Sequence, residues 1–214
     1  IYCSSSAVSA RANIISTYGW TINDGGVCEP TSQANTIAAS NIGTLKADIS
    51  WTNGNGTSRI VVAREGNAVT TDPSDLTTYA ADTNFGSGTE LGSGNYVVYN
   101  GTGNNFTVNN LNPGSVYHFR VYEYNGTASD ENYYLATATG NPAAASTLVL
   151  PAITAILPNS APKEAPIAIS GSGFNPSAPN DIFFGPIKVT ANANAAGDEI
   201  LVNVPSGTSS VTPI

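Results

Sequence analysis

The stretch Leu111-Asn112-Pro113-Gly114-Ser115-Val116-Tyr117, running directly into His118-Phe119-Arg120-Val121-Tyr122-Glu123-Tyr124, limits the fold more than any other part of the chain. Pro113-Gly114 is a strong turn dipeptide, and Leu111 is an apolar anchor ahead of it. The residues that follow alternate Tyr117, Phe119, Val121 against His118, Arg120, Tyr122, which is the period of a strand with one buried face. Composition points the same way. Only 10% of the 214 residues are charged, while Gly (21) and Pro (13) are frequent, a profile of short strands joined by tight turns.

A tyrosine just after such a corner resembles the tyrosine corner of immunoglobulin-like sandwiches, with its ring inward and its hydroxyl bonded to the backbone upstream. Leu111, Pro113, Gly114 and Tyr117 are assigned to it. Strands are expected at 35–42, 46–51, 59–64, 96–99, 106–108, 117–124 and 134–139, within a first sandwich over 29–148. With Ala47-Asp48-Ile49-Ser50-Trp51 ahead of the corner, this region resembles a fibronectin type III domain. The 66–94 segment is longer than that family needs and predicts an extra hairpin or covering loop.

Residues 1–28 read as a cap. A short helix is expected at 7–15 and stops at Tyr18-Gly19. Trp20-Thr21-Ile22 is expected as a small strand, followed by the turn signal Asn23-Asp24-Gly25-Gly26. Cys3 and Cys28 are the two cysteines. Their pairing would close the cap by roughly 3–4 kcal/mol in the loop-entropy model and implies an oxidising compartment. The run from Ala10 to Gly26 resembles the last unit of leucine-rich-repeat surface proteins of Gram-negative bacteria, which implies a repeat array upstream. After a 149–151 linker, Ile169-Ser170-Gly171-Ser172-Gly173-Phe174, the apolar pair Phe183-Phe184 before Gly185, and Val204-Pro205 resemble the immunoglobulin-like TIG domains. This second unit, 152–214, is expected to lack its last strand, which Val211-Thr212-Pro213-Ile214 would open. The expected fold is all-β: two tandem immunoglobulin-like β-sandwiches with a short disulfide-closed N-terminal cap.

A net charge of −8 gives no basic footprint for nucleic acid, and no apolar run reaches the roughly 18 residues of a membrane span. With no methionine, Ile1 is not read as a natural start, so the chain is expected to be a processed product or an internal piece. The lone histidine, His118, has no nucleophile and orienting group assigned to it. The carboxylate pairs Asp72/Asp75, Asp130/Glu131 and Asp198/Glu199 sit on turn-like segments rather than facing one another. No catalytic, cofactor or metal residue is therefore assigned. The stripe His118, Arg120, Tyr122, Tyr124, extended by Arg64 on a neighbouring strand, is a candidate interaction face, because aromatics and Arg are enriched at hot spots. Asn55, Asn100, Asn105 and Asn125 are glycosylation sequons, and Asn-Gly is equally a turn signal.

These features imply a non-catalytic, modular fragment of an extracellular cell-surface protein that acts in adhesion or in a filament or stalk. Its expected partners are other surface proteins, glycans or copies of itself. An edge left open by the second unit suggests strand exchange with a neighbouring chain. The alternative is an accessory spacer or carbohydrate-binding region of a secreted polysaccharide-degrading enzyme. Trp20 and Trp51 both read as buried, which favours the stalk.

Overall fold

A computed structural model describes residues 5–22 and 28–207. The expectations for Cys3, Asn23–Gly26 and Val211–Ile214 lie outside the described residues. The chain divides into two compact units, 1–148 and 149–214.

The first unit opens with α1 (Ser5–Tyr18), longer at both ends than its apolar pattern suggests. It stops where Gly19 takes a left-handed φ of 64° and donates its N–H to Ile15 O. Residues 19–22 form no strand, and Trp20 is 64% exposed, so the expectations of a short strand and a buried tryptophan are both corrected there. The ring lies against that of Tyr18, which is as exposed as Trp20 itself.

The sandwich pairs two antiparallel sheets. One holds β1 (Asn35–Ser40), β2 (Ala47–Thr52) and β6 (Asn105–Val108) in the order β1-β2-β6. The other holds β3 (Ser58–Glu65), β4 (Glu90–Gly92), β5 (Asn95–Gly101), β7 (Val116–Asn125) and β8 (Asn132–Tyr133) in the order β4-β5-β3-β7-β8, with β9 (Ala143–Ser146) also on β7. Between the sheets lie Ile49, Trp51, Val61, Ala63, Val98, Val108, Tyr117, Phe119 and Val121. Tyr99 and Phe106 meet the Trp51 ring edge-on. The corner forms as the motif implies: Tyr117 is buried, its hydroxyl accepts the Asn112 N–H at 2.8 Å, and Gly114 has φ 66°.

The strand expected at 134–139 does not form. Its carbonyl groups are taken by side chains instead: Gln33 Nε2 donates to Tyr134 O and Ala136 O, and Arg120 to Leu135 O. Thr139 O and Gly140 O accept from β1. Asn141 then fills the gap in the ladder, with Oδ1 accepting from Val121 N–H and Nδ2 donating to Val121 O and Ala34 O. Pairing with β7 falls to β8 and β9 on either side of this break.

The second unit has a three-stranded sheet, β10 (Ala152–Leu157), β11 (Pro166–Ser172) and β14 (Glu199–Asn203), and a hairpin of β12 (Asn180–Phe184) and β13 (Ile187–Ala191). A small core of Ile167, Ile169, Phe174, Ile200 and Val204 joins them. Gly171 is required there, because a Cβ would lie 2.1 Å from Ala152 O and 2.5 Å from the Phe174 ring.

Candidate interaction surfaces

The 66–94 segment changes the meaning of the aromatic stripe on β7. It lays Val69 and Tyr79 over the outer face of the larger sheet, where they pack with Ile60, Val62, Val97, Tyr122, Tyr124 and Tyr133 into a second apolar core. β3 and β7 therefore have both faces covered, which is why β3 carries the unbroken run Ile60-Val61-Val62-Ala63. Tyr122 is fully buried and Tyr124 is 7% exposed. Their hydroxyls donate to Asp72 Oδ1 (2.8 Å) and Asn100 Oδ1 (2.7 Å). Burial pushes both phenols above their ordinary pKa, and for Tyr122 the hydrogen bond to Asp72 adds to it.

The cations of the stripe are engaged by the same cover. Arg120 pairs with Asp72 at 2.8 Å and lies over the Tyr122 ring, 4.5 Å from its centroid. Arg64 donates to Ala68 O and Thr70 Oγ1, both at 2.9 Å. His118, half-buried, stands opposite Arg64 in the ladder. The five residues are thus brought together, but Tyr122 and Tyr124 are corrected from interaction groups to core groups. Alternation predicted their face, and only the covering segment decided their exposure.

At one pole of this sandwich a buried ion pair organises the loops. Arg59 and Glu123 are direct cross-strand partners on β3 and β7, and their side chains are almost fully buried. The carboxylate accepts Arg59 Nε (3.2 Å) and Nη2 (3.1 Å), Gly54 N–H (2.9 Å) and Gly56 N–H (3.0 Å). Arg59 also donates to the carbonyl groups of Gly56, Thr102 and Gly103. The loops after β2 and β5 are therefore fixed to one charged pair. The sequence reading does not single it out, although Glu123 is the one carboxylate within β7 and Arg59 stands at the start of the apolar run of β3.

Two of the sequon side chains, Asn55 and Asn125, serve the same pole. Asn55 Oδ1 accepts from Thr31 N–H and Ser32 N–H, and its Nδ2 donates to Thr31 Oγ1. Asn125 Nδ2 donates to Cys28 O and its Oδ1 accepts from Thr57 N–H. Asn100 donates to Tyr79 O. Asn105 donates to its neighbour Asn104. Cys28 is not a free thiol, while the Cys3 end of the expected bridge lies outside the described residues.

Four of the six carboxylates singled out in the sequence are tied to groups of the fold itself. Asp72 holds Arg120 and Tyr122, Asp75 accepts Tyr133 N–H, and Asp198 accepts Asn194 Nδ2. Glu131 accepts Thr78 Oγ1 through one oxygen, and its other oxygen is buried without a partner. Among the described residues no group of three His, Cys, Asp or Glu side chains converges as a metal site.

The second unit has a cleft of about 530 Å³ between its two sheets. It is lined by Ile153 and Ile156 of β10, Ile167 and Ile169 of β11, and Ile182 and Phe184 of β12.

No family model matches the chain, and no curated protein matches it. It is similar to several solved fibronectin type III structures. The fourth such domain of a human protein shows 14% identity, with 62% of this chain and 92% of that one covered, at a TM-score of 0.37. The FN5 domain of Drosophila Lar shows 14% identity, with 55% and 96% covered, at 0.31. The FN1-FN3 domains of chicken CNTN1 show 12% identity, with 81% and 56% covered, at 0.34. These are remote likenesses, and the fibronectin type III-like fold of the first unit stands on its own strand order and corner.

Proposed function

We propose that this chain is a non-catalytic structural and contact module of an extracellular cell-surface protein, serving adhesion or a stalk. The observation that carries the reading is the double burial of the larger sheet, which makes the first sandwich a stiff body whose contacts are left to its poles, its edges and the outer face of the smaller sheet. A tandem second sandwich, read as TIG-like, supports a modular chain. A Cys3–Cys28 bridge and an upstream leucine-rich array belong to the same reading. The test is an antibody against residues 29–148 used on intact source cells, with a non-reducing denaturing gel of the same material. Surface labelling of a band well above 21.9 kDa is expected. Label only in lysed cells would refute the reading.

A second reading, an accessory carbohydrate-binding region, gains from Tyr18 and Trp20, 67% and 64% exposed with ring centroids 5.8 Å apart. Their 41° interplanar angle weighs against a flat platform. Affinity electrophoresis in soluble polysaccharides, with retardation lost in Trp20→Ala, would favour it.

A further inference from the structure

The edge strand of the second unit carries little of the protection such strands ordinarily have. β10 pairs with β11 on one side, and no described residue pairs with its other edge. All six of its residues, Ala-Ile-Thr-Ala-Ile-Leu, are exposed. Edge strands are usually guarded by charges, proline, bulges or cover. Here the prolines stand only outside the strand, at Pro151 and Pro158, and no charged residue occurs between Glu131 and Lys163. One register irregularity, between Ile153 and Ala155, is the single such device within the strand, and it leaves Ile156 and Leu157 in regular pairing.

We infer that β10 pairs antiparallel with β10 of a second copy of this chain about a two-fold axis, joining two three-stranded sheets into one of six strands. Three observations select a second copy. The strand is self-complementary, offering a free backbone edge and apolar side chains at once, which is what an isologous contact requires. The chain's net charge of −8 sets copies against one another elsewhere, but this segment is uncharged, so two copies meet here without opposing charges in contact. The exposed area is also adequate. Val149, Leu150, Ile153, Ile156 and Leu157 are each between 43% and 63% exposed. With the smaller residues of β10 they offer on the order of 600 Å² per copy, against roughly 800 Å² per partner in a standard specific interface. The incoming strand lies beside the cleft that Ile153 and Ile156 line. This inference does not depend on surface display: a dimer formed by a protein that is never displayed would sink the proposed function and leave the pairing intact.

The test is sedimentation velocity of the 214-residue chain over a wide concentration range, with Ala155→Lys and Ala155→Val compared and circular dichroism confirming that each is folded. Like charges placed across the two-fold axis oppose pairing, so Ala155→Lys is expected to weaken dimerisation by about tenfold or more. Ala155→Val, which favours strand, is expected to retain it. Hydrogen exchange of the β10 amides should slow as the dimer forms. A chain that stays monomeric at every concentration overturns the inference, as does a dimer indifferent to Ala155→Lys. So does a monomer whose β10 amides are already protected, since its edge would then be covered within one chain.

Discussion

Replacing Glu123 by Gln keeps the volume of the side chain and removes its charge, which strands the Arg59 guanidinium in a site it cannot leave. Both side chains are 4% exposed or less, and removing one partner of a buried pair costs about 3–5 kcal/mol. The three carbonyl groups around Arg59 persist. The new amide, however, turns N–H groups toward a site that already holds Gly54 N–H, Gly56 N–H and the guanidinium. At roughly 4 °C per kcal/mol for a domain of this size, the first unit should melt some 10–20 °C lower. Urea unfolding followed by Trp51 fluorescence measures it, with a Trp20→Phe background removing the exposed indole. The double variant Arg59→Met, Glu123→Leu removes both charges but also strips Gly54 and Gly56 N–H of their acceptor and the Gly56, Thr102 and Gly103 carbonyls of their donor, at about 1–3 kcal/mol for each group left buried, so it should not regain the parent's stability. A Glu123→Gln chain within about 1 kcal/mol of the parent, or a double variant as stable as the parent, would show that this pair does not hold the loops.

Three further outcomes are expected. Tyr117→Phe removes the acceptor of the Asn112 N–H and should lower the stability of the first unit by about 1 kcal/mol, read by denaturant midpoint. Gly171→Ala forces β11 away from Ala152 O and should destabilise the second unit by roughly 1–3 kcal/mol or more, with the first unit's melting unchanged. Alkaline pH should unfold the first unit. Burial raises the phenols of Tyr117, Tyr122, Tyr124 and Tyr133 above the ordinary value of 10.0, so above pH 10 the unfolded chain loses protons that the folded chain keeps. Their contribution is complete below that pH and falls as pH rises beyond it. An ultraviolet titration in which all ten tyrosines ionise smoothly without unfolding would contradict this.

The first sandwich was legible where a local rule governs local structure. The corner at Leu111–Tyr117 and the inward set Tyr117, Phe119, Val121 follow from turn chemistry and alternation, and the structure places them so. Reading failed where a distant segment supplies the partner. Alternation correctly put Tyr122 on the face away from Phe119, but Val69 and Tyr79, some fifty residues away in sequence, decide that this face is covered. Likewise 134–139 has the β-branched and aromatic look of a strand, yet Gln33, Arg120 and Asn141 side chains take the bonds a ladder would have made. Trp20 was misplaced for the opposite reason: an aromatic in a short segment was assumed to have a core, and none of the described core residues reaches it.

The aromatic face of the first sandwich is closed, while apolar surface stands open on β10. Hydroxyl-radical footprinting of the native chain at low concentration, read residue by residue, distinguishes the two surfaces. Weak labelling of Tyr79, Tyr122 and Tyr124 is expected, with strong labelling of Ile153, Leu157, Tyr18 and Trp20. Labelling of Tyr122 and Tyr124 as strong as that of Tyr18, with Ile153 and Leu157 silent, would contradict it.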